Sequence, residues 1–321
     1  MNSQPVLTVL AGNRPLMGLE ELQREAEVRV TDDAGLPEAL AGADILYLWD
    51  YFADGVRRAW PAADSLRWIH VPAAGVDKLM FPELVDSDVV LTNARGIFDR
   101  PMAEHVLGAM LHFAKDFGRA AAQQRQRQWR HYATADLAGA SVLVAGTGSI
   151  GRCTARLLTA VGLRVDGLGR TARSGDADFG VIHAGADFAA VAGAYDYVVL
   201  AAPLTPDTRG MLGRSVLAAM KPTAVLINVG RGALADEAAL EESLLSGSLA
   251  GAALDVFETE PLPEHSRLWG LENVLITPHL SGDSQNQLPA LARQFADNLA
   301  AWKAGRPLAN VVDKQLGFVA P

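Results

Sequence analysis

A chain of 321 residues, half of them hydrophobic and a fifth charged, is globular and long enough for two domains of ordinary size. Its net charge of −9 argues against non-specific attraction to nucleic acid or to an anionic membrane surface. The single cysteine, Cys153, excludes an intrachain disulfide and a cysteine-rich metal site, and no metal is expected.

The amino terminus lacks a basic n-region, and no stretch approaches the ~18 continuous apolar residues of a membrane span, so a cytoplasmic protein is expected. Segments 5–12, 27–31, 43–50, 66–73 and 89–93 read as strands, with helical or looped stretches between them. The stretch 99–132 reads as one long helix, with Pro101 tolerated in its first turn. A second strand series follows at 141–146, 164–169, 197–203, 224–230, 251–256 and 274–279, and a last helix at 288–305. No internal repeat or low-complexity linker interrupts them. The alternation predicts an α/β protein of two units with parallel sheets, divided near residue 97.

"GTGSIG" sets Gly146, Gly148 and Gly151 in the G-x-G-x-x-G spacing, with Ser149 and Ile150 between the last two. The first glycine permits the turn, the second lets a pyrophosphate approach the backbone, and the third lets helix pack on strand. The pattern alone is weak. An apolar strand before it and a helical "GRCTARLLTAVG" after it supply the context that makes it a dinucleotide site. Cys153, inside that helix, reads as packing rather than as a nucleophile.

The later motifs carry a resemblance. "LINVGRGALADEAAL" (226–240), "GAALDVFETEPLP" (251–263) and "NVLITPHLSGD" (273–283) resemble the D-isomer-specific 2-hydroxyacid dehydrogenases. So do "HVPAAGVDKL" (70–79), "LTNARGIFDRPMAEHVLGAML" (91–111), "APLTPDTRGML" (202–212) and "NLAAWKAGRPLANVVDKQLGF" (298–318). The motifs run in the family's order through almost the whole chain. The resemblance implies two Rossmann-like or flavodoxin-like domains with the active site in the cleft between them. It puts the substrate-binding domain at 1–97 plus 285–321 and the dinucleotide-binding domain at 98–284.

The resemblance also implies a catalytic trio of Arg231, Glu260 and His279. The residue types suit reduction of a 2-keto acid. Arginine offers a permanent fork of donors to a carboxylate. Histidine can give and take a proton near neutral pH, and a carboxylate on its far nitrogen orients it. Glu258, two positions away, is the rival for the carboxylate role; the residue beside the proline matches the family position. The other histidines, His70, His105, His112, His131, His183 and His265, read as packing or surface residues.

On the substrate side the resemblance assigns backbone N–H groups of Ala74, Gly75 and Val76 to the substrate carboxylate, with Asp77 capping the turn. Trp49 and Phe52 either belong to the core or line the cleft mouth, as a tryptophan does in the glyoxylate/hydroxypyruvate reductase branch that this stretch resembles. Trp129 either reaches a partner subunit, in a homodimer joined through the cofactor domains, or is buried on a helix surface within its own monomer; Arg125, Arg127 and Arg130 read as a solvated face.

The cofactor is the finer question. The family's ribose-binding acid falls at Gly169, and "GRTAR" supplies Arg170, Thr171 and Arg173 instead. Loss of the acid and gain of two cations favour NADP(H); with the arginines as bystanders, NAD(H) is the alternative. By family position Pro203 and Thr208 lie near the adenosine and pyrophosphate, Val229, Arg231 and Asp255 near the nicotinamide, and Met102 behind it. Two other readings stay open: a corepressor-like binding protein on the same fold, and another enzyme of the scaffold such as a phosphite or 3-phosphoglycerate oxidant. A chain that ends at Pro321 is expected to lack the regulatory domain common among the phosphoglycerate enzymes.

Overall fold

The computed structural model describes residues 4–12, 15–51, 53 and 55–320. Contacts divide the chain into two compact units, Met1–Phe98 with Ser284–Pro321, and Asp99–Asp283.

In the first unit the strands are β1 (Val6–Leu10), β2 (Glu27–Thr31), β3 (Ile45–Tyr47), β4 (Trp68–Val71) and β5 (Val90–Asn93). They lie in the order β2-β1-β3-β4-β5, and every pair is parallel. That is the flavodoxin-like winding. β3 and β4 are buried at every position, which is why they read as unbroken apolar runs. Helix Gln287–Lys303 returns late in the chain and lays Phe295 against this sheet. The ring stacks on Tyr47 at 3.8 Å and on Trp68 at 5.2 Å. His70 is fully buried beside them, its Nδ1 2.8 Å from the Thr92 hydroxyl, and burial lowers its pKa to about 3. It is a neutral core histidine.

Trp49 settles into the same core. Its side chain is fully buried, the ring meets Tyr47 edge-on, and the indole N–H donates to the Pro15 carbonyl at 2.9 Å. A side chain without exposed surface cannot wall a substrate cleft, so the cleft-mouth alternative for Trp49 is corrected. Phe52 lies outside the described residues.

The second unit holds β6 (Ser141–Ala145), β7 (Arg164–Gly169), β8 (Arg173–Ser174), β9 (Val181–Ala184), β10 (Tyr197–Leu200), β11 (Val225–Asn228), β12 (Gly251–Leu254) and β13 (Val274–Ile276). Their order is β13-β12-β11-β10-β6-β7-β9-β8, parallel except for the edge pair β8–β9. Without that edge strand the order is the doubly wound dinucleotide-binding one, with a seventh strand added. Its winding reverses between β6 and β10, the place where such sheets bind ligands. Leu143, Val198, Leu200, Leu226 and Leu254 form the buried face that fixes this sheet to its helices.

The long helix of the sequence reading breaks. Helices Asp99–Ala114 and Phe117–Arg125 are separated at Asp116, which takes a left-handed conformation (φ 50°) and caps the second helix through Arg119 N–H. Beyond Gln126 no helix continues: Arg127 is again left-handed, residues 128–137 are irregular, and Trp129 is fully exposed. Among the described residues no helix is long and apolar enough to cross a membrane.

Candidate active site

The glycines sit at the C-terminal end of β6, where the winding reverses. A Cβ on Gly146 would stand 2.6 Å from the Ala201 backbone, and one on Gly151 would stand 1.8 Å from the Gly146 carbonyl oxygen. Both glycines are therefore required by close packing. At Gly148 a Cβ would meet nothing within 4 Å. Gly148 also precedes helix Ser149–Ala160 as its N-cap, with no side chain capping the free N–H groups. An open approach to uncapped N–H groups at the positive end of a helix suits a pyrophosphate. The residues present fit a dinucleotide.

At the end of β7, Gly169 is crowded: a Cβ there would lie 3.2 Å from both Thr147 Oγ1 and Ile182 Cγ2. Thr147, the middle residue of "GTG", takes the room an acidic side chain would leave by, a pairing the motif spacing does not reveal. Arg170 and Thr171 are exposed in the bend that follows. Arg173 differs from expectation. Its guanidinium pairs with Asp176 at 3.2 Å, so it enters any phosphate site already engaged.

Arg231 leaves the C-terminal end of β11 between two glycines. A Cβ on Gly230 would lie 2.6 Å from Leu234, and one on Gly232 would lie 1.9 Å from the Phe257 backbone. Only a glycine at 232 lets the segment through Phe257 and Glu258 pass this close. Asn228, almost fully buried, staples the turn: its Nδ2 donates to the Arg231 carbonyl at 3.0 Å and its Oδ1 accepts from Gly230 N–H at 3.1 Å. Arg231 Nη1 donates to the Gly230 carbonyl at 2.9 Å.

The passing segment carries Glu260. One of its carboxylate oxygens accepts the Phe257 N–H at 3.0 Å, and the other lies 2.7 Å from His279 Nδ1. Burial pushes the Glu260 carboxyl up, but the contacts with His279 and Phe257 N–H, with Arg231 nearby, outweigh it and hold the pKa below the ordinary value. Glu258 is elsewhere, exchanging backbone contacts with Glu237. The structure thus brings Glu260, not Glu258, to the histidine.

His279 has a left-handed backbone (φ 52°), unusual for a residue with a side chain. Asp255 accounts for it. Its carboxylate accepts Leu280 N–H and Ser281 N–H at 2.9 Å each and the Thr277 hydroxyl at 2.6 Å, while its carbonyl accepts His279 N–H at 2.8 Å. The carboxylate is 1% exposed and committed to the turn. These contacts give Asp255 the part of shaping the His279 loop. His105 joins this arrangement through Nε2, 3.4 Å from the Thr277 hydroxyl, with burial lowering its pKa.

The remaining candidates are placed as follows. Thr208 Oγ1 donates to the Pro203 carbonyl at 2.7 Å and accepts Thr205 N–H, fixing the turn after β10. Val229 is buried, and Met102 is nearly buried in the first turn of its helix. In the other unit, Ala74 and Gly75 are partly exposed and Val76 is buried. Asn93 holds that loop, donating to the Ala74 carbonyl at 2.7 Å and accepting Arg95 N–H at 3.2 Å. Asn228 and Asn93 were missed by sequence reasoning; an asparagine directly at the end of a buried strand was their one signal.

The profile of the D-isomer-specific 2-hydroxyacid dehydrogenase NAD-binding domain matches residues 107–281. The chain is 32% identical over 259 residues, 78% of its length and 79% of the relative's, to a glycerate dehydrogenase of Methylorubrum extorquens. A solved D-isomer-specific 2-hydroxyacid dehydrogenase from Xanthobacter autotrophicus, in complex with NADPH and MES, superposes with a TM-score of 0.84 at 31% identity, covering 98% of this chain and 100% of that one. An NADPH-dependent glyoxylate/hydroxypyruvate reductase from Sinorhizobium meliloti, bound to NADP and sulfate, gives 0.82 at 30% identity, covering 97% and 99%. With its sheet order, its glycine turn and these relatives taken together, the chain belongs to the D-isomer-specific 2-hydroxyacid dehydrogenases, a family of NAD(P)-dependent oxidoreductases.

Proposed function

We propose that the protein reduces a small 2-keto acid, of the glyoxylate or hydroxypyruvate type, to the D-2-hydroxy acid with NADPH. The observation that carries this reading is the Glu260–His279 contact at 2.7 Å, beside a glycine-flanked Arg231. In it His279 keeps its Nδ1 proton on Glu260 and gives the proton of Nε2 to the keto oxygen of the substrate. Arg231 pairs with the substrate carboxylate and so orients C2. The bound cofactor supplies a hydride to C2. Hydride to carbon and proton to oxygen balance the reduction, and His279 recovers its proton from solvent.

NADPH is favoured by the lack of an acid at the end of β7 and by Arg170 and Thr171 exposed beyond it. The relatives bound to NADP and NADPH lend support. A homodimer joined through the 99–283 unit is part of the reading, supported by Trp129, which stands fully exposed on a non-helical arm and would lose its apolar surface to a second copy. Sedimentation of wild type and Trp129→Ala tests that part: a dimer weakened by the substitution supports it, and a monomeric wild type removes it.

The experiment for the reaction is initial-rate oxidation of NADPH and NADH, side by side, with glyoxylate, hydroxypyruvate, pyruvate and phenylpyruvate. Turnover preferring NADPH is expected. Turnover with NADH alone would keep the chemistry and remove the phosphate assignment. No turnover with any of them would move the protein to another reaction of the scaffold or to a binding role.

A further inference from the structure

Behind the bend at Arg170 lies an ion cluster that the reaction does not use. Arg152 stands in the first turn of helix Ser149–Ala160, directly after Gly151. Its Nη1 donates to Asp176 Oδ1 and to Asp178 Oδ2, and its Nη2 to Asp176 Oδ2, each at 2.8 Å. Arg156, one turn on, reaches Asp178 at 3.1 Å. The Asp178 N–H closes back on Asp176 Oδ1 at 3.0 Å. Both carboxylates are nearly out of solvent, 7% and 11% exposed. Arg152, and to a lesser degree Arg173, hold the Asp176 carboxyl well below the usual carboxylate range despite its burial.

Two features of this cluster bear on a ligand. The residues between Arg170 and Asp178 form one short excursion from β7, and the cluster ties its far end to the helix that receives the pyrophosphate. The second feature is competition. Arg152 occupies both oxygens of Asp176 at 2.8 Å, while Arg173 reaches only one of them at 3.2 Å and is half exposed. With Asp176 already neutralised by Arg152, this longer contact from a half-exposed guanidinium is the weaker of the two, so a phosphate dianion can take Arg173 over. Without Arg152 the buried Asp176 would need Arg173 as its partner, because an unpaired buried carboxylate is costly.

We propose that Arg152 determines cofactor selectivity from behind the site: by neutralising Asp176 and Asp178 it leaves Arg173 only weakly held, and so able to join Arg170 in holding a phosphomonoester on the adenosine ribose. It acts as a positioning residue rather than as a phosphate ligand. The inference rests on the NADP(H) reading above. Around the excursion stand four arginines, Arg152, Arg156, Arg170 and Arg173, against two carboxylates. Loss of Arg152 halves that excess of positive charge and, with Arg156 still on Asp178, leaves the nearly buried Asp176 dependent on the arginine that the phosphate needs. NADH, with a hydroxyl at that position, is indifferent to the change.

The test titrates full-length wild type and variants with NADPH and NADH by nicotinamide fluorescence, and displaces NADPH with adenosine 2′-phosphate or adenosine 5′-phosphate. Arg152→Met is expected to weaken NADPH and adenosine 2′-phosphate about tenfold, the loss of roughly one charge-assisted contact, with NADH and adenosine 5′-phosphate within about twofold of wild type. The triple variant Arg152→Met/Asp176→Asn/Asp178→Asn is expected to recover most of the NADPH affinity, since no acid then competes for Arg173. Equal losses of NADPH and NADH, or no recovery in the triple variant, would reduce Arg152 to a structural anchor and overturn the proposal. If Arg152→Met does not fold, Arg152→Lys decides, since an ammonium cannot span both Asp176 oxygens and Asp178 as the guanidinium does: NADPH weakened severalfold with unchanged NADH supports the competition, and unchanged NADPH refutes it. Wild type that binds NADH as tightly as NADPH would fail the NADP(H) reading itself; wild-type preference for NADPH that Arg152→Met leaves intact would fail this inference alone.

Discussion

Nδ1 of His279 lies 2.7 Å from one oxygen of Glu260, whose other oxygen is held by the Phe257 N–H at 3.0 Å. The carboxylate is thus fixed before it meets the imidazole, and the direction of the ring's other nitrogen follows.

Glu260→Gln keeps the shape and removes the charge. Without the charge that orients and balances the imidazole in proton transfer, kcat/KM profiled across the pH range is expected to fall by about tenfold or more. The same carboxyl has a folded-state pKa below its ordinary value of 4.5. A depressed carboxyl lends stability above the unfolded value, and that stability is lost as pH falls through the folded one. Denaturant midpoints measured from pH 7 downward therefore converge for wild type and Glu260→Gln in acid. An unchanged rate profile would show that Glu260 does not act on His279.

Asp255→Ala strands the half-buried N–H of Leu280 and the buried N–H of Ser281 and frees the left-handed turn at His279. A loss of about 3 kcal/mol in unfolding free energy is expected, from two unsatisfied donors. Turnover falls with it, while NADPH affinity measured by fluorescence stays near wild type. A large loss of cofactor affinity with full stability would instead support the nicotinamide contact that the family position suggested.

The glycines of the turn separate by substitution. Gly151→Ala drives a methyl into the Gly146 carbonyl and is expected to lower the melting temperature steeply. Gly148→Ala meets open space, so it folds and loses dinucleotide affinity, because the methyl occupies the pyrophosphate's approach. Thermal melts and fluorescence titration of both variants check the pair; equal affinity in Gly148→Ala and wild type would contradict the assignment.

Trp49→Phe removes the indole bond to the Pro15 carbonyl inside the first unit. The expected result is a stability loss of about 1 kcal/mol, one hydrogen bond, with KM for the keto acid unchanged. A raised KM at unchanged stability would return Trp49 to the substrate.

Fold class and strand identity were legible because buried parallel strands such as Leu143-Val144-Ala145 and Val225-Leu226-Ile227 are apolar at every position. The edge strand β8 and its neighbour β9 were not. Arg173 and Ser174 are exposed on both faces, and "VIHA" is too short for a periodicity to show. The break at Asp116 escaped for a different reason: "KDFG" continues the helical apolar spacing, and only the left-handed backbone of Asp116 with its cap on Arg119 ends the first helix. The trio could be located from short motifs because each sits at a strand end with its glycine or proline beside it. What holds the trio, Asp255 on the His279 turn and Asn228 on the Arg231 turn, depends on contacts between segments distant in the chain or on turn geometry, and neither leaves a spacing to read.

The most direct measurement is single-turnover reduction of glyoxylate or hydroxypyruvate by NADPH in wild type and His279→Asn, with NADPH affinity determined for both. The account predicts equal NADPH affinity and a reduction step slowed by about 10²–10⁴ in the variant, the usual contribution of a general acid. Reduction at the wild-type rate by His279→Asn would contradict it, because the proton would then come from elsewhere.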